Sequence, residues 1–147
     1  MLAIVAGQWA AAQFGQAGVV YVNGALTNLA NPDGKTWSAA YTNVQQGLDA
    51  AVDGDEVWVA KGTYFGPVYL KSGVALFGGF AGTESNRTDR RWVLNPTILD
   101  GLSGMTVVKA LQGVSGSTRI DGFVVQHGFS EYGGGHPLHR FFPGHRQ

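Results

Sequence analysis

The chain has 147 residues, 44% of them hydrophobic and 14% charged, with 23 glycines and no cysteine. That length holds one domain with a core; the low charge excludes a disordered acidic or basic tail, and the missing cysteines exclude disulfides and thiolate metal sites. Ten Lys and Arg balance ten Asp and Glu, so no net field draws the protein to nucleic acid or an anionic membrane.

Residues 1–17, MLAIVAGQWAAAQFGQA, read as the remnant of a secretory leader, an apolar stretch followed by small residues with cleavage expected after Ala17, although a basic start is missing. The expected location is outside the cell or on its surface. No stretch approaches the roughly 20 apolar residues of a membrane span. The first strand is expected at Val19 to Asn23, rich in β-branched and aromatic residues. After a turn-prone stretch from Gly24 to Lys35, a helix is expected over Trp37 to Ala51. Thr36 or Ser38 is placed to cap it, and Trp37, Ala40, Tyr41, Val44, Leu48 and Ala51 recur at spacings of three and four.

From Asp53 onward the pattern turns to short strands and turns. In EVWVAKGTY, Val57 and Val59 alternate with Trp58 and Ala60, and VYLKSGVALFGGF supplies two more short runs about Gly73. Val74 and Leu76 are expected to face a stacked core. Gly78-Gly79 lets the chain turn where a β-carbon would clash, with Phe77 and Phe80 covering neighbouring layers. The same stretch is not a phosphate loop, because no G-x-G-x-x-G opens a helix and no Lys-Ser/Thr follows. PTILDG, MTVVKAL and TRIDGFVVQHG are further β runs. TILDG (Thr97 to Gly101) and TRIDG (Thr118 to Gly122) both begin with Thr and end in Asp-Gly, a recurrence on the scale of solenoid repeats.

In this order the blocks GKTWSAAYTNVQQGLDAAVDGDEVWVAKGTY, GVALFGGFAGTE, RWVLNPTILDG and IDGFVVQHG closely resemble the N-terminal part of bacterial right-handed parallel β-helix repeat proteins with a pectin-lyase-like fold. The resemblance covers about Val20 to Gly135. It implies an all-β, right-handed parallel β-helix of about four coils over residues 18–135, with Trp37 to Ala51 as an amphipathic capping helix. Such proteins are typically large and exported or on the cell surface. The tail 136–147, HPLHRFFPGHRQ, departs from the pattern and reads as a truncated or frame-shifted end. A coil stack cut there leaves an open end. Either the tail covers it, through Leu138, Phe141 and Phe142, or two chains associate through it.

The resemblance also implies candidate chemistry, since lyases of this fold act on acidic polysaccharide with Ca²⁺ and a basic residue. Outward candidates are Lys61, Lys71, Asp100, Lys109, Arg119 and Asp121. If Asp100 and Asp121 stand one coil apart they lie about 5 Å from each other and can hold Ca²⁺; the competing reading is that an Asp before Gly is a turn residue. Asp53, Asp55 and Glu56 read as a turn tying the helix end rather than as a glycosidase pair. His136, His139 and His145 with Glu131 have zinc-ligand chemistry without a regular element to hold them. Arg87, Arg90 and Arg91 read as a salt-bridged loop or a contact to a sugar acid. Tyr64 and Tyr69 read equally as rings that stack on sugars and as packed side chains, while Trp58 and Trp92 are expected to pack inside. No G-x-S-x-G is present for a serine hydrolase. The expected function is therefore a non-catalytic surface module that binds polysaccharide or a neighbouring chain. The alternatives are a polysaccharide lyase or glycoside hydrolase, with Ca²⁺ as the one cofactor a lyase would need, and a folding cap without a ligand.

Overall fold

The computed structural model describes residues 17–27 and 29–129. The leader-like residues 1–16, the tail 136–147 and the zinc candidates Glu131, His136, His139 and His145 lie outside the described residues. In chain order the elements are β1 (Val19–Val22), a 3₁₀ turn (Trp37–Ala39), α1 (Val44–Ala50), β2 (Glu56–Ala60), β3 (Gly62–Phe65), β4 (Val68–Leu70) and β5 (Ala75–Phe80). A second 3₁₀ turn (Arg87–Asp89) is followed by β6 (Thr97–Met105), β7 (Val108–Ala110), β8 (Arg119–Asp121) and β9 (Phe123–Gly128). The strands form three sheets, ordered β1-β2-β5-β8, β3-β6-β9 and β4-β7. All the pairings are parallel. No helix among the described residues is long and apolar enough to cross a membrane.

The expected parallel β-helix of about four coils behind a long capping helix is corrected. The protein is mostly β, with three small parallel sheets of unequal size, of four, three and two strands, rather than a uniform four-coil solenoid. Only Val44–Ala50 of the expected Trp37 to Ala51 helix is α-helical. The physical reason lies in long-range pairing. Tyr41 makes a parallel bridge with Val22, and hydrogen bonds run from Tyr41 N to Tyr21 O and from Asn23 N to Tyr41 O, so Ala40 to Asn43 must stay extended. Thr36 caps only the short 3₁₀ turn, and Asn43 takes over as cap of α1 by accepting from Gln45 N.

Within the sheets, alternation along each strand sorts side chains onto two faces. Register stacks Val20, Val57, Leu76 and Ile120 in one column and Tyr64, Leu99 and Val125 in another. Val57, Leu76, Tyr64 and Leu99 of these columns make the main core with Val22, Val44, Leu48, Val59, Val68, Val74 and Val107. Val57, Val59, Val74 and Leu76 face it as the alternation implies. The opposite face of the first sheet carries an aromatic cluster of Trp58, Phe77 and Phe80, against which Tyr21 and Trp37 pack. The rings of Trp58 and Phe80 stack with centroids 4.8 Å apart.

Gly78-Gly79 has a different part from the one expected. Both residues lie inside β5 and stand opposite the single residue Val59 of β2, since Phe77 pairs with Trp58 and Phe80 with Ala60. The pair is a bulge, with Gly79 at φ 93°. Gly79 N donates to Thr97 Oγ1, a fully buried hydroxyl, and Gly79 O accepts from Arg91 N.

Candidate functional site

The strongest polar constellation grows from an irregular length of the second sheet. Phe65, Asp100 and Gln126 are in register across β3, β6 and β9, and the next paired position is Met105 with Gly128. Gly101, Leu102, Ser103 and Gly104 of β6 therefore stand opposite the single residue His127. Leu102 (φ 52°), Ser103 (φ 57°) and His127 (φ 49°) take left-handed backbone, and they are the only non-glycine residues among those described that do. Strain of this kind costs about 1–3 kcal/mol per residue and persists where surrounding contacts hold it.

Those contacts converge on the Asp100 carboxylate. It accepts from Leu102 N at 2.8 Å, from Gln126 Nε2 at 2.9 Å and from His127 Nδ1 at 2.9 Å. An ionised carboxylate only accepts, so Nδ1 carries the proton, and in the neutral ring Nε2 is the unpaired acceptor. The His127 side chain is 57% exposed. Hydrogen bonds from Gln126, His127 and the Leu102 backbone, in that order of weight, hold the Asp100 carboxyl down from 3.8 to about 2. Because the folded value is depressed, the stability it contributes is present above pH 3.8 and is lost as pH falls toward about 2. The melting temperature of the wild type is thus expected to fall more steeply over that window than that of Asp100→Asn. Parallel curves by circular dichroism would contradict the assignment.

The paired-aspartate expectation is corrected. Asp100 lies in β6 of the second sheet and Asp121 in β8 of the first, so TILDG and TRIDG do not stack on each other. Asp121 instead pairs in register with Phe77 and takes Arg90 at 3.1 Å and Arg119 at 2.7 Å. Burial alone raises its carboxyl, but the two guanidiniums outweigh burial and hold it below the usual range. Asp100 accepts three N–H groups and Asp121 Oδ2 accepts two guanidiniums, so the two carboxylates do not share a Ca²⁺ site. Among the described residues no three His, Asp or Glu side chains are grouped to hold a metal. The other catalytic candidates are also dispersed. Lys109 sits in β7 with Nζ 5.4 Å from the centre of the Tyr69 ring, and Lys71 caps α1 through the carbonyls of Asp49 and Ala51. Arg119 serves Asp121.

The aromatic candidates divide. Tyr64 is buried, and its hydroxyl accepts from Gly24 N at 3.0 Å and donates to Ala60 O at 2.9 Å; burial pushes its phenol up. It has no face for a sugar, which corrects that expectation. Tyr64→Phe is expected to lower stability by about 1–2 kcal/mol through the unpaired Gly24 and Ala60 groups, readable as a shifted urea midpoint. Tyr69 remains partly exposed beside Gln45, Asp49, Leu111 and Gln112 in a groove of about 320 Å³. Trp58 packs inside as expected, but Trp92 is largely exposed under the Arg90 guanidinium. Asp55 ties a turn by accepting from Gly18 N and Val52 N, and Glu56 holds Trp58 Nε1 and Arg87.

No protein-family model matches the chain, and no curated protein or solved structure matches it either. Functional inference therefore rests on the residues themselves. Sequence reasoning missed Phe65, Gln126 and His127. The signals were present in GTYF and VVQHG, but only the register of β3, β6 and β9 brings them to one place.

A second feature is the end of the molecule formed by the last strand of each sheet. Val108 of β7, Ile120 of β8, and Val125 and Phe129 of and beside β9 surround one apolar groove of about 390 Å³. Ile120 and Val125 end the inward columns whose earlier members, Leu76 and Leu99, are fully buried. They are themselves 36% and 54% exposed, and Phe129 is 51% exposed. The other end is closed by Ala40, Val44 and Leu48, all buried against β1 and its neighbours.

Proposed function

We propose that this protein is a non-catalytic, extracellular or cell-surface module that binds a neighbouring protein chain, a second copy of itself, through the end formed by β7, β8 and β9. The observation that carries the reading is the pair of inward columns that finish on exposed Ile120 and Val125. Three parallel strands there have edges unpaired among the described residues, and such an edge beside exposed apolar side chains recruits further strands. The occupant is a second copy for two reasons. The opposite end is covered by α1 and the stretch before it, so head-to-tail stacking has no second open face, and two like ends must meet across a two-fold axis. In addition, β8 reads Arg119-Ile120-Asp121. Two such strands meeting antiparallel about Ile120 set each Arg119 opposite the partner's Asp121.

Sedimentation velocity over a micromolar concentration series tests the proposal. The wild type is expected to shift from monomer toward dimer, while Val125→Asp stays monomeric and keeps its melting temperature, since the position is half-exposed. A wild type that remains monomeric throughout, or a Val125→Asp variant that dimerises equally, overturns it.

A further inference from the structure

We infer that the outer face of the second sheet carries a binding subsite for a neutral saccharide, built from Phe65, Gln126 and His127 around Asp100. This surface is separate from the groove lined by Val108, Ile120, Val125 and Phe129.

The face follows from alternation. Tyr64 and Leu99 point into the core, so Phe65 and Asp100, one residue further along, point away from it, and Gln126 follows in register. Phe65 is 58% exposed and belongs to neither apolar cluster. Thr63, Ile98 and Val124 form the preceding row of the same face, with Val124 48% exposed. Phe65 and Gln126 are two strand spacings apart, about 10 Å, which suits a chain of two sugar rings laid across the strands. Phe65 also borders a polar groove of about 380 Å³ lined by Thr42, Asn43, Gln45 and Thr63, which extends the hydroxyl-bearing surface beyond the ring.

The chemistry of the polar end selects the ligand. An aromatic ring stacks on the apolar face of a pyranose, and hydroxyls at its rim need donors and acceptors held in fixed positions. Asp100 supplies that fixity by fastening both the Gln126 amide and the His127 imidazole. What remains for a ligand is the Nε2 acceptor of His127 and the carbonyl and second N–H of Gln126. The left-handed backbone at Leu102, Ser103 and His127 keeps these groups on one patch, strain of the kind found at ligand clamps. The Asp100 carboxylate lies at the centre of these groups, and among the described residues no Lys or Arg bonds to it. A uronic acid would meet a like charge, whereas a neutral sugar meets none.

Native affinity electrophoresis of the full chain tests this, with gels containing a neutral β-glucan, a galactomannan or polygalacturonate. Retardation by at least one neutral polymer and not by polygalacturonate is expected. Phe65→Ala and His127→Asn should each weaken it about tenfold, the equivalent of about 1.4 kcal/mol, with melting unchanged for Phe65→Ala, whose ring is exposed. Asn is chosen at 127 because it tolerates the left-handed backbone, so either variant can decide the matter if the other is destabilised. The inference is overturned if no neutral polymer retards the protein, if polygalacturonate retards it equally, or if both variants bind as the wild type does. Sedimentation of the same variants reports separately on self-association, which they should leave unchanged.

Discussion

Gly79→Ala is expected to destabilise the protein by about 3–4 kcal/mol, combining backbone strain with overpacking in the bulge. Gly79 sits at φ 93°, and a β-carbon there falls 2.9 Å from the Trp92 Cα and 3.0 Å from its N. These are backbone atoms, fixed by the Arg91 N to Gly79 O hydrogen bond next door, so relief requires moving the chain itself. Gly66 provides the comparison. It has φ 94°, and a methyl added there meets nothing within 4 Å, so Gly66→Ala carries strain alone, about 1–2 kcal/mol. Urea denaturation of the two variants separates the terms. Equal losses would mean that the approach of Trp92 to β5 contributes nothing.

A second large effect is expected at the centre of the core. Leu99 is fully buried between Tyr64 and Val125 in its column, and Leu99→Ala removes apolar contact and leaves a cavity that fixed strands cannot close. The expected loss is about 3 kcal/mol, a large share of the roughly 5–15 kcal/mol that a domain of this size holds. Leu111→Ala, at an exposed position, should change stability by no more than about 0.5 kcal/mol. If the two variants unfold at the same urea concentration, the column through Leu99 is not the core of the protein.

Much of the strand content was legible in the sequence because period-2 alternation is local. VVYV, EVWVA and ALFGGF show it directly, and Val57, Val59, Val74 and Leu76 reach the core as their spacing implies. The helix is shorter than its apolar stripe for a reason that periodicity cannot reveal. Ala40, Val44, Leu48 and Ala51 are all buried, so the stripe is real, but the bridge from Tyr41 to Val22 holds the chain extended in between. Long-range pairing there overrides local propensity. The likeness of TILDG to TRIDG does not become stacking, since their aspartates serve different sheets and different partners. The candidate subsite was the least legible part. Asp100 stood out as a carboxylate, but its bond to His127 spans 27 positions and depends on a four-against-one irregularity between β6 and β9, for which no local spacing rule exists.

The absence of cysteine makes one measurement especially clean. In the proposed pair, Ile120 of each chain faces its counterpart across antiparallel β8 edges, where opposed Cα atoms lie about 4.5–5.5 Å apart, within disulfide reach. Mild oxidation of Ile120→Cys is predicted to give a covalent dimer. Gln46→Cys, exposed on α1 at the closed end, is predicted to stay monomeric under the same conditions. Failure of Ile120→Cys to cross-link, or equal cross-linking of both variants, would contradict self-association through the β7, β8 and β9 end.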